Sequence, residues 1–276
     1  MGGEFVGFLW CWYIPRMRPH LVFTLSRDWQ NFLIQALTGI GIFLTTLTLV
    51  GCSHLTPNDV AQRPNIEPTG QVWHSLDKAN WREVRFPGKV ATSYTVVQHS
   101  GQDWLRAEAK SSASMLRQKI DPGLGPFSRI RFSLVVEQAP MNADVAKSDK
   151  EDAPVRVILA FDGDRSEFSA RESALSELSH LMTGEPLPYA TLMYVWCPQR
   201  ELESVVHNPR IDRIRKLVVA NPFGGQKQHL IERDFRADYE RAFGRAPGRL
   251  IGIAIMTDSD NTQGWARALY GPIQLW

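Results

Sequence analysis

Short runs of strand-forming residues recur along the chain after residue 70, and they limit the fold more than any other feature. Runs of this kind are rich in Val, Ile, Tyr and Phe or alternate apolar with polar residues. Turn sequences such as 121–123 (Asp-Pro-Gly) and 162–164 (Asp-Gly-Asp) separate them. Eight runs are predicted strands: 93–97, 104–109, 129–136, 155–161, 191–196, 216–220, 250–256 and 266–275.

Two further segments have helical spacing. Residues 172–182 place Leu175, Leu178, Leu181 and Met182 at helical intervals, and residues 234–243 end at Gly244, a residue typical of a helix C-terminus. Helices therefore do not alternate regularly with strands, which argues against a doubly wound sheet. The sequence predicts a mainly β protein, a two-sheet β-sandwich of jelly-roll or galactose-binding-like type with two short helices.

A long uncharged segment precedes this region. Residues 32–50 carry no charged side chain, and a helix of that length spans about 28 Å, close to the bilayer hydrocarbon thickness. Arg18 and Arg27 lie before it, as in an export signal. The segment ends in Leu49-Val50-Gly51-Cys52, which resembles a bacterial lipobox. One interpretation is a cleaved leader with a lipid on Cys52, and the other is an uncleaved N-terminal hydrophobic helix that anchors the chain.

Either interpretation gives the same organisation. Residues 1–51 are the leader or membrane anchor, residues 52–70 are a proline-containing flexible tether, and residues 71–276 are a single β-sandwich domain. The chain would then lie on the periplasmic side of the cell envelope. Ser53 after Cys52 is typical of lipoproteins sent to the outer membrane. Met17 begins a better signal than Met1, so both remain candidate start sites.

Charge and cysteine content exclude several classes of protein. The chain has 31 Lys and Arg against 29 Asp and Glu, a formal net charge of +2, so we expect no nucleic-acid partner. Its three cysteines are too few for a disulfide scaffold or a four-cysteine zinc site. After removal of the leader and lipidation of Cys52, Cys197 alone would remain, within an apolar run that predicts a buried, inert thiol.

The sharpest polar pattern is the hexapeptide 257–262, Thr-Asp-Ser-Asp-Asn-Thr, directly after an apolar strand. Asp258, Asp260 and Asn261 offer hard oxygen atoms of the kind that Ca²⁺ binds, so Asp258 and Asp260 form a candidate calcium site. The same groups could bind sugar hydroxyls or act as an acid/base pair. A loop in which they cap backbone N–H groups is the structural alternative. No other cofactor is indicated.

Three further residues complete the candidate ligand site. Arg156 shares a predicted strand face with apolar residues, so it needs a carboxylate partner, and Asp258 or Asp260 could supply one across the sheet. Asp162 follows the same strand. Trp265 stands just after the polar loop and could stack on a sugar ring.

The C-terminal third also contains long specific segments. These are 235–244 (FRADYERAFG), 251–262 (IGIAIMTDSDNT) and the residues Ala266, Ala268, Tyr270 and Gly271. Together with 111–114, 121–122 and 152–157, they closely resemble an uncharacterised bacterial family, domain of unknown function 3047, from about residue 81 to the end. The resemblance implies an exported sandwich protein and assigns no activity.

The combined expectation is an exported, membrane-tethered β-sandwich that binds a glycan or other envelope ligand without catalysis. Its first alternative is an envelope polysaccharide hydrolase that uses the Asp258 and Asp260 carboxylates. Its second alternative is a structural or assembly lipoprotein with no small ligand.

Overall fold

A computed structural model of the chain describes residues 73–74, 81–225 and 227–276. The predicted leader, tether, start sites and Cys52 lie outside these residues. The described chain contains thirteen strands and two α-helices: β1 (Trp73–His74), β2 (Arg82–Arg85), β3 (Ser93–His99), β4 (Gln102–Lys110), β5 (Ala113–Lys119), β6 (Arg129–Gln138), β7 (Arg156–Phe161), α1 (Ala170–Thr183), β8 (Ala190–Trp196), β9 (Val205–His207), β10 (Ile214–Ala220), β11 (Gln228–Asp234), α2 (Phe235–Phe243), β12 (Leu250–Asp258) and β13 (Trp265–Leu275).

The strands form two sheets. The six-stranded sheet has the order β11-β6-β13-β4-β3, with β1 also paired to β13, and the seven-stranded sheet has the order β2-β5-β12-β7-β8-β10-β9. All pairs are antiparallel except β8 with β10, which are parallel. The predicted class, a two-sheet β-sandwich of jelly-roll type, is therefore confirmed.

The main core lies between the two sheets. Alternate residues of each strand point inward because successive side chains in a strand face opposite sides. From β7 these are Val157, Leu159 and Phe161, and from β6 they are Ile130, Phe132 and Leu134, all buried in one cluster. Because Arg156 lies on the other face of β7 from these residues, its side chain points away from this core.

A second, smaller core covers the outer face of the seven-stranded sheet. Val145 and Ala153 from the loop between β6 and β7 pack there against Val195, Cys197 and Val218. Cys197 is buried as a free thiol, as predicted, and burial raises its pKa. The face that carries Arg156 is thus closed by a loop rather than open to solvent.

Helix α2 ends at Gly244 as predicted, whereas α1 (170–183) extends beyond the predicted 172–182 at both ends and differs in its packing. Ser169 and Glu172 form a capping box at the start of α1, and Gly244 closes α2 with a φ of 72°. The helical spacing of apolar residues in α1 would ordinarily mark a buried face. Instead Leu178, Leu181 and Met182 are exposed. Among the described residues, neither helix is long and apolar enough to span a bilayer.

Candidate functional site

Three carboxylates meet where β12 leaves the seven-stranded sheet, and we call Asp152, Asp258 and Asp260 the acidic corner. One oxygen of each lies within 4.8 Å of one oxygen of each of the others. Asp258 is the last residue of β12, Asp260 lies in the following turn, and Asp152 comes from the loop before β7. This is the arrangement that a divalent cation site would need, so the partners of each carboxylate decide what the corner can do.

Asp258 is fully engaged by Arg156. Strands β7 and β12 are antiparallel neighbours with Arg156 opposite Met256, so Asp258 is a diagonal neighbour on the same face. Arg156 donates from Nε to Oδ1 at 2.8 Å and from Nη2 to Oδ2 at 2.9 Å. The backbone N–H of Ala153 also donates to Oδ1, at 3.1 Å. Burial raises the pKa of Asp258 to about 6. Because this value is still below 7, Asp258 is an anion at neutral pH and balances the charge of the buried guanidinium.

Asp152 organises the turn after β12. Its Oδ1 accepts from the backbone N–H and the side-chain amide of Asn261, both at 3.1 Å. Its Oδ2 accepts from the backbone N–H of Thr262 at 2.7 Å and from the Thr262 hydroxyl at 2.5 Å. The Asn261 amide therefore acts here as a hydrogen-bond donor to Asp152.

Two lysines pair with carboxylates in and beside the acidic corner. Lys89, from the turn after β2, donates to Asp260, and Asp260 is 8% exposed. Lys216 of β10 is fully buried beneath the corner, with Nζ 2.5 Å from both Glu151 Oε1 and the carbonyl oxygen of Val145. Burial lowers the pKa of Lys216. The corner is thus a network of paired charges that ties the loop before β7 and the turn after β12 to the sheet.

The remaining two predicted residues lie elsewhere. Asp162 follows the opposite end of β7, where its backbone N–H donates to the carbonyl of Arg249 at 2.9 Å and its carboxylate lies 3.8 Å from the Arg249 guanidinium. Trp265 opens β13 in the other sheet and is 39% exposed, with the cations of Lys110 and Arg267 at 5.9 and 5.2 Å from its ring centre. The structure brings together Arg156, Asp258, Asp260 and Asn261. It leaves Asp162, at the opposite end of β7, and Trp265, in the other sheet, outside this group.

A cavity that the sequence did not predict opens at the helix-bearing end of the seven-stranded sheet. Its volume is about 610 Å³, and its wall is formed by the first half of α1, the segment that leads into β10, and the end of α2. Five arginines and two acidic residues line it: Arg171, Arg210, Arg213, Arg215 and Arg245, with Glu172 and Asp212. We call it the arginine cavity.

Some of these arginines are fixed and others are free of carboxylate partners. Arg213 lies 3.0 Å from Glu172, Arg215 lies 2.8 Å from Asp212, and Arg245 lies 2.7 Å from Glu167. In contrast, Arg171 and Arg210 form no ion pair with any described residue and are exposed, although Arg210 Nη2 donates to the backbone carbonyl of Ser148 at 3.2 Å. The cavity therefore carries unneutralised positive charge.

Aromatic rings contact three of the cavity arginines. The Arg213 guanidinium carbon lies 4.4 Å from the ring centre of Tyr189 and 4.8 Å from that of Phe168, and Arg245 lies 5.1 Å from Tyr189. Arg215 lies 5.2 Å from Phe243. Together with the ion pairs, cation–π contacts of this kind hold these three guanidinium groups in place.

The fold and these two sites define a β-sandwich protein with a self-paired acidic corner and an arginine-lined cavity at one end. The chain belongs to the family described as protein of unknown function (DUF3047), whose family model matches residues 79–274. Comparison with curated proteins gives no match.

Several solved structures are similar in outline. A family 11 carbohydrate-binding module from Clostridium thermocellum, in complex with a β-1,3-1,4-mixed-linked tetrasaccharide, is 10% identical with a TM-score of 0.36, over 71% of this chain and 88% of that one. The family 11 module of the cellulosomal cellulase Lic26A-Cel5E from C. thermocellum is 11% identical (TM-score 0.34, 71% and 86%). The family 11 xylanase from Neocallimastix patriciarum is 9% identical (TM-score 0.28, 74% and 96%).

Proposed function

We propose that this chain is an exported, membrane-tethered binding protein of the cell envelope, and that its β-sandwich binds an anionic envelope component without catalysis. The observation that carries the proposal is the arginine cavity, where five guanidinium groups meet two carboxylates. The ligand would be a glycan or other envelope molecule that carries carboxylate or phosphate groups. The membrane tether rests on the uncharged segment 32–50 and on Cys52.

The chemistry of the cavity favours an anion over a neutral ligand. Guanidinium groups form paired, charge-assisted hydrogen bonds with carboxylates and phosphates. Arg171 and Arg210 have no carboxylate among the described residues to satisfy them, so an anionic ligand would gain contacts that a neutral one would not. Because the other three arginines are already fixed by ion pairs and rings, little side-chain entropy would be lost when they bind.

The hydrolase alternative finds less support in the acidic corner. A general acid or base must come within hydrogen-bond distance of the substrate. Asp258 is 2% exposed and both of its oxygens accept from Arg156, while Asp260 is paired with Lys89. These contacts support a structural role for the corner, in which it orders two loops around the sheet.

Titration calorimetry with charged and neutral oligosaccharides tests the proposal. We expect an oligogalacturonate to bind the full chain and a neutral gluco-oligosaccharide of equal length to bind far more weakly. The double variant Arg171→Gln/Arg210→Gln should weaken oligogalacturonate binding at least tenfold, because each charge-assisted hydrogen bond contributes about 1.5–3 kcal/mol.

A matched control is Arg85→Gln, because Arg85 is exposed and does not line the cavity. It should leave the affinity unchanged. The proposal is overturned if anionic ligands bind no better than neutral ones, or if the two cavity substitutions have no more effect than the control. Release of reducing ends during the titration would instead favour the hydrolase.

A further inference from the structure

Helix α1 presents an apolar face that no described residue covers. Leu178 is 53% exposed, Leu181 79% and Met182 52%. Single exposed apolar residues are ordinary, but three in two consecutive turns form a continuous patch, which is typical of a contact surface. The helix itself is well defined by a capping box at Ser169 and a left-handed Gly184 at its C-terminus.

This apolar face is continuous with the wall of the arginine cavity. At 100° per residue, Arg171, Leu175, Leu178 and Met182 lie on one line along α1, because they are spaced by 4, 3 and 4 residues. Arg171 and Leu175 line the cavity, and Leu178 and Met182 continue the line beyond it. From Arg171 to Met182 the line is about 16 Å long at 1.5 Å per residue. A ligand anchored in the cavity would therefore meet an apolar track.

We propose that the ligand of the arginine cavity is an anionic lipid, with its phosphate group among the arginines and an acyl chain along Leu175, Leu178 and Met182. This inference rests on the proposed anion-binding function and narrows its ligand class. The free charge of Arg171 stands at the start of the track, so headgroup and chain are each matched by the residues they would contact.

The track favours a lipid over the two other occupants. A glycan would place hydroxyl groups against leucine side chains, and polar groups buried without hydrogen bonds cost free energy. A second copy of this chain would pack the same patch against itself, since a twofold contact is isologous, and the line of Arg171, Leu175, Leu178 and Met182 contains no anion to pair with Arg171. An acyl chain buries apolar surface without unsatisfied polar groups, and it leaves Arg171 to bind the phosphate group.

Native mass spectrometry of the full chain in a neutral detergent tests the lipid class directly. The probes are phosphatidylglycerol, phosphatidylcholine with the same acyl chains, and glycerol 3-phosphate, which has a phosphate without a chain. We expect phosphatidylglycerol to be retained several-fold more than phosphatidylcholine, and glycerol 3-phosphate to be retained weakly.

Two variants separate headgroup from chain. Arg171→Gln should lower retention of phosphatidylglycerol to the level of phosphatidylcholine and abolish that of glycerol 3-phosphate. Leu178→Gln should lower retention of phosphatidylglycerol and leave glycerol 3-phosphate unchanged. The control Ser173→Gln changes an exposed residue of α1 on the opposite side of the helix and should have no effect. All three positions are exposed, and circular dichroism verifies that each variant is folded.

Other outcomes have distinct meanings. Equal retention of both lipids in every variant, with oligogalacturonate still dependent on Arg171, overturns the lipid inference and leaves the proposed function standing. Loss of a dimer in Leu178→Gln without a change in lipid retention shows that the track is a contact between copies, which also overturns the lipid inference. If no anionic probe depends on Arg171, both proposals fail.

Discussion

Arg156 donates two parallel hydrogen bonds, of 2.8 and 2.9 Å, to the Asp258 carboxylate across the neighbouring strands β7 and β12. The pair lies on the outer face of the seven-stranded sheet. The pair is almost fully buried, with side-chain exposures of 4% and 3%. Arg156 also donates to the carbonyl of Glu151 at 2.5 Å. The pair therefore joins the loop before β7 to the end of β12, and it is the centre of the acidic corner.

Removing one partner of this pair should destabilise the fold strongly. In Asp258→Asn the Arg156 guanidinium stays buried without a counter-charge, and breaking a buried pair costs about 3–5 kcal/mol. Denaturant unfolding should show a loss of that size in the free energy of unfolding. Asp162→Asn is the matched control, because Asp162 is a half-exposed aspartate at the other end of β7 and should change stability by about 0.5 kcal/mol or less.

The double variant Arg156→Met/Asp258→Leu separates charge burial from packing. Replacing a whole buried pair with apolar residues is often close to neutral, so the double variant should recover most of the stability lost by Asp258→Asn. If Asp258→Asn were as stable as the wild type, the structural role of the corner would be wrong and a functional role for Asp258 would regain support.

The partnership of Arg156 with an aspartate was predictable, whereas the arginine cavity was not. A strand arginine on an apolar face must find a carboxylate, and the aspartate that follows the next apolar strand was a natural candidate. The cavity is assembled from Arg171, the segment 210–215 and Arg245, which are far apart in sequence. No local pattern marks them, because only the packing of both helices onto one end of the sheet brings them together.

The strands were predictable to a similar extent. All eight predicted strands are present. In seven of them β-branched or aromatic residues are buried in the core, whereas β3 has no fully buried residue. Strands β1, β2, β5, β9 and β11 were missed: β5 (ASMLRQK) and β11 (QHLIERD) carry many charged or polar residues, and β1, β2 and β9 have only two, four and three residues. Strand β11 lies at the edge of its sheet, where one side needs no partner, so its sequence carries a weak apolar signal.

A pH-dependent contribution is expected from Glu203. Burial would raise the pKa of this carboxyl, but hydrogen bonds from Arg233, at 2.7 and 2.9 Å, and Arg241, at 2.8 Å, outweigh it and lower the pKa below its ordinary 4.5. A lowered pKa in the folded state gives stability that is present above pH 4.5 and is lost as the pH falls through the folded value.

Comparing Glu203→Gln with the wild type measures this contribution. The variant should have the lower melting temperature at pH 7, with a modest difference because the Glu203 side chain is 47% exposed. The difference should shrink as the pH falls below 4.5. Glu201→Gln, two residues away and without an ion pair among the described residues, should show no such trend. A difference that persists at low pH would contradict the ion-pair account.

The acidic corner should respond weakly to calcium. Ca²⁺ takes six to eight oxygen ligands, but Asp258 is held by Arg156, Asp260 by Lys89, and Asp152 by four donors of residues 261–262. We expect neither Ca²⁺ nor a chelator to shift the melting temperature of the wild type. A rise with Ca²⁺ that disappears in Asp260→Asn would restore the predicted calcium site, since a ligand of the native state raises stability by mass action.

The shape of the arginine cavity should depend on Gly248, although this residue does not line it. A Cβ at position 248 would lie 2.0 Å from the backbone carbonyl oxygen of Asp162, so the segment before β12 can pack against the end of β7 only without a side chain there. That segment begins with Arg245, which lines the cavity and contacts the ring of Tyr189. Gly248→Ala should therefore lower the free energy of unfolding by about 1–3 kcal/mol, as substitutions at overpacked sites do. It should also displace Arg245 and weaken binding of anionic probes.

Gly123→Ala is the matched control, because its Cβ would meet a movable Asp121 side-chain oxygen at 3.3 Å. Equal stability and equal affinity in the two glycine variants would mean that Arg245 is positioned by its own contacts alone.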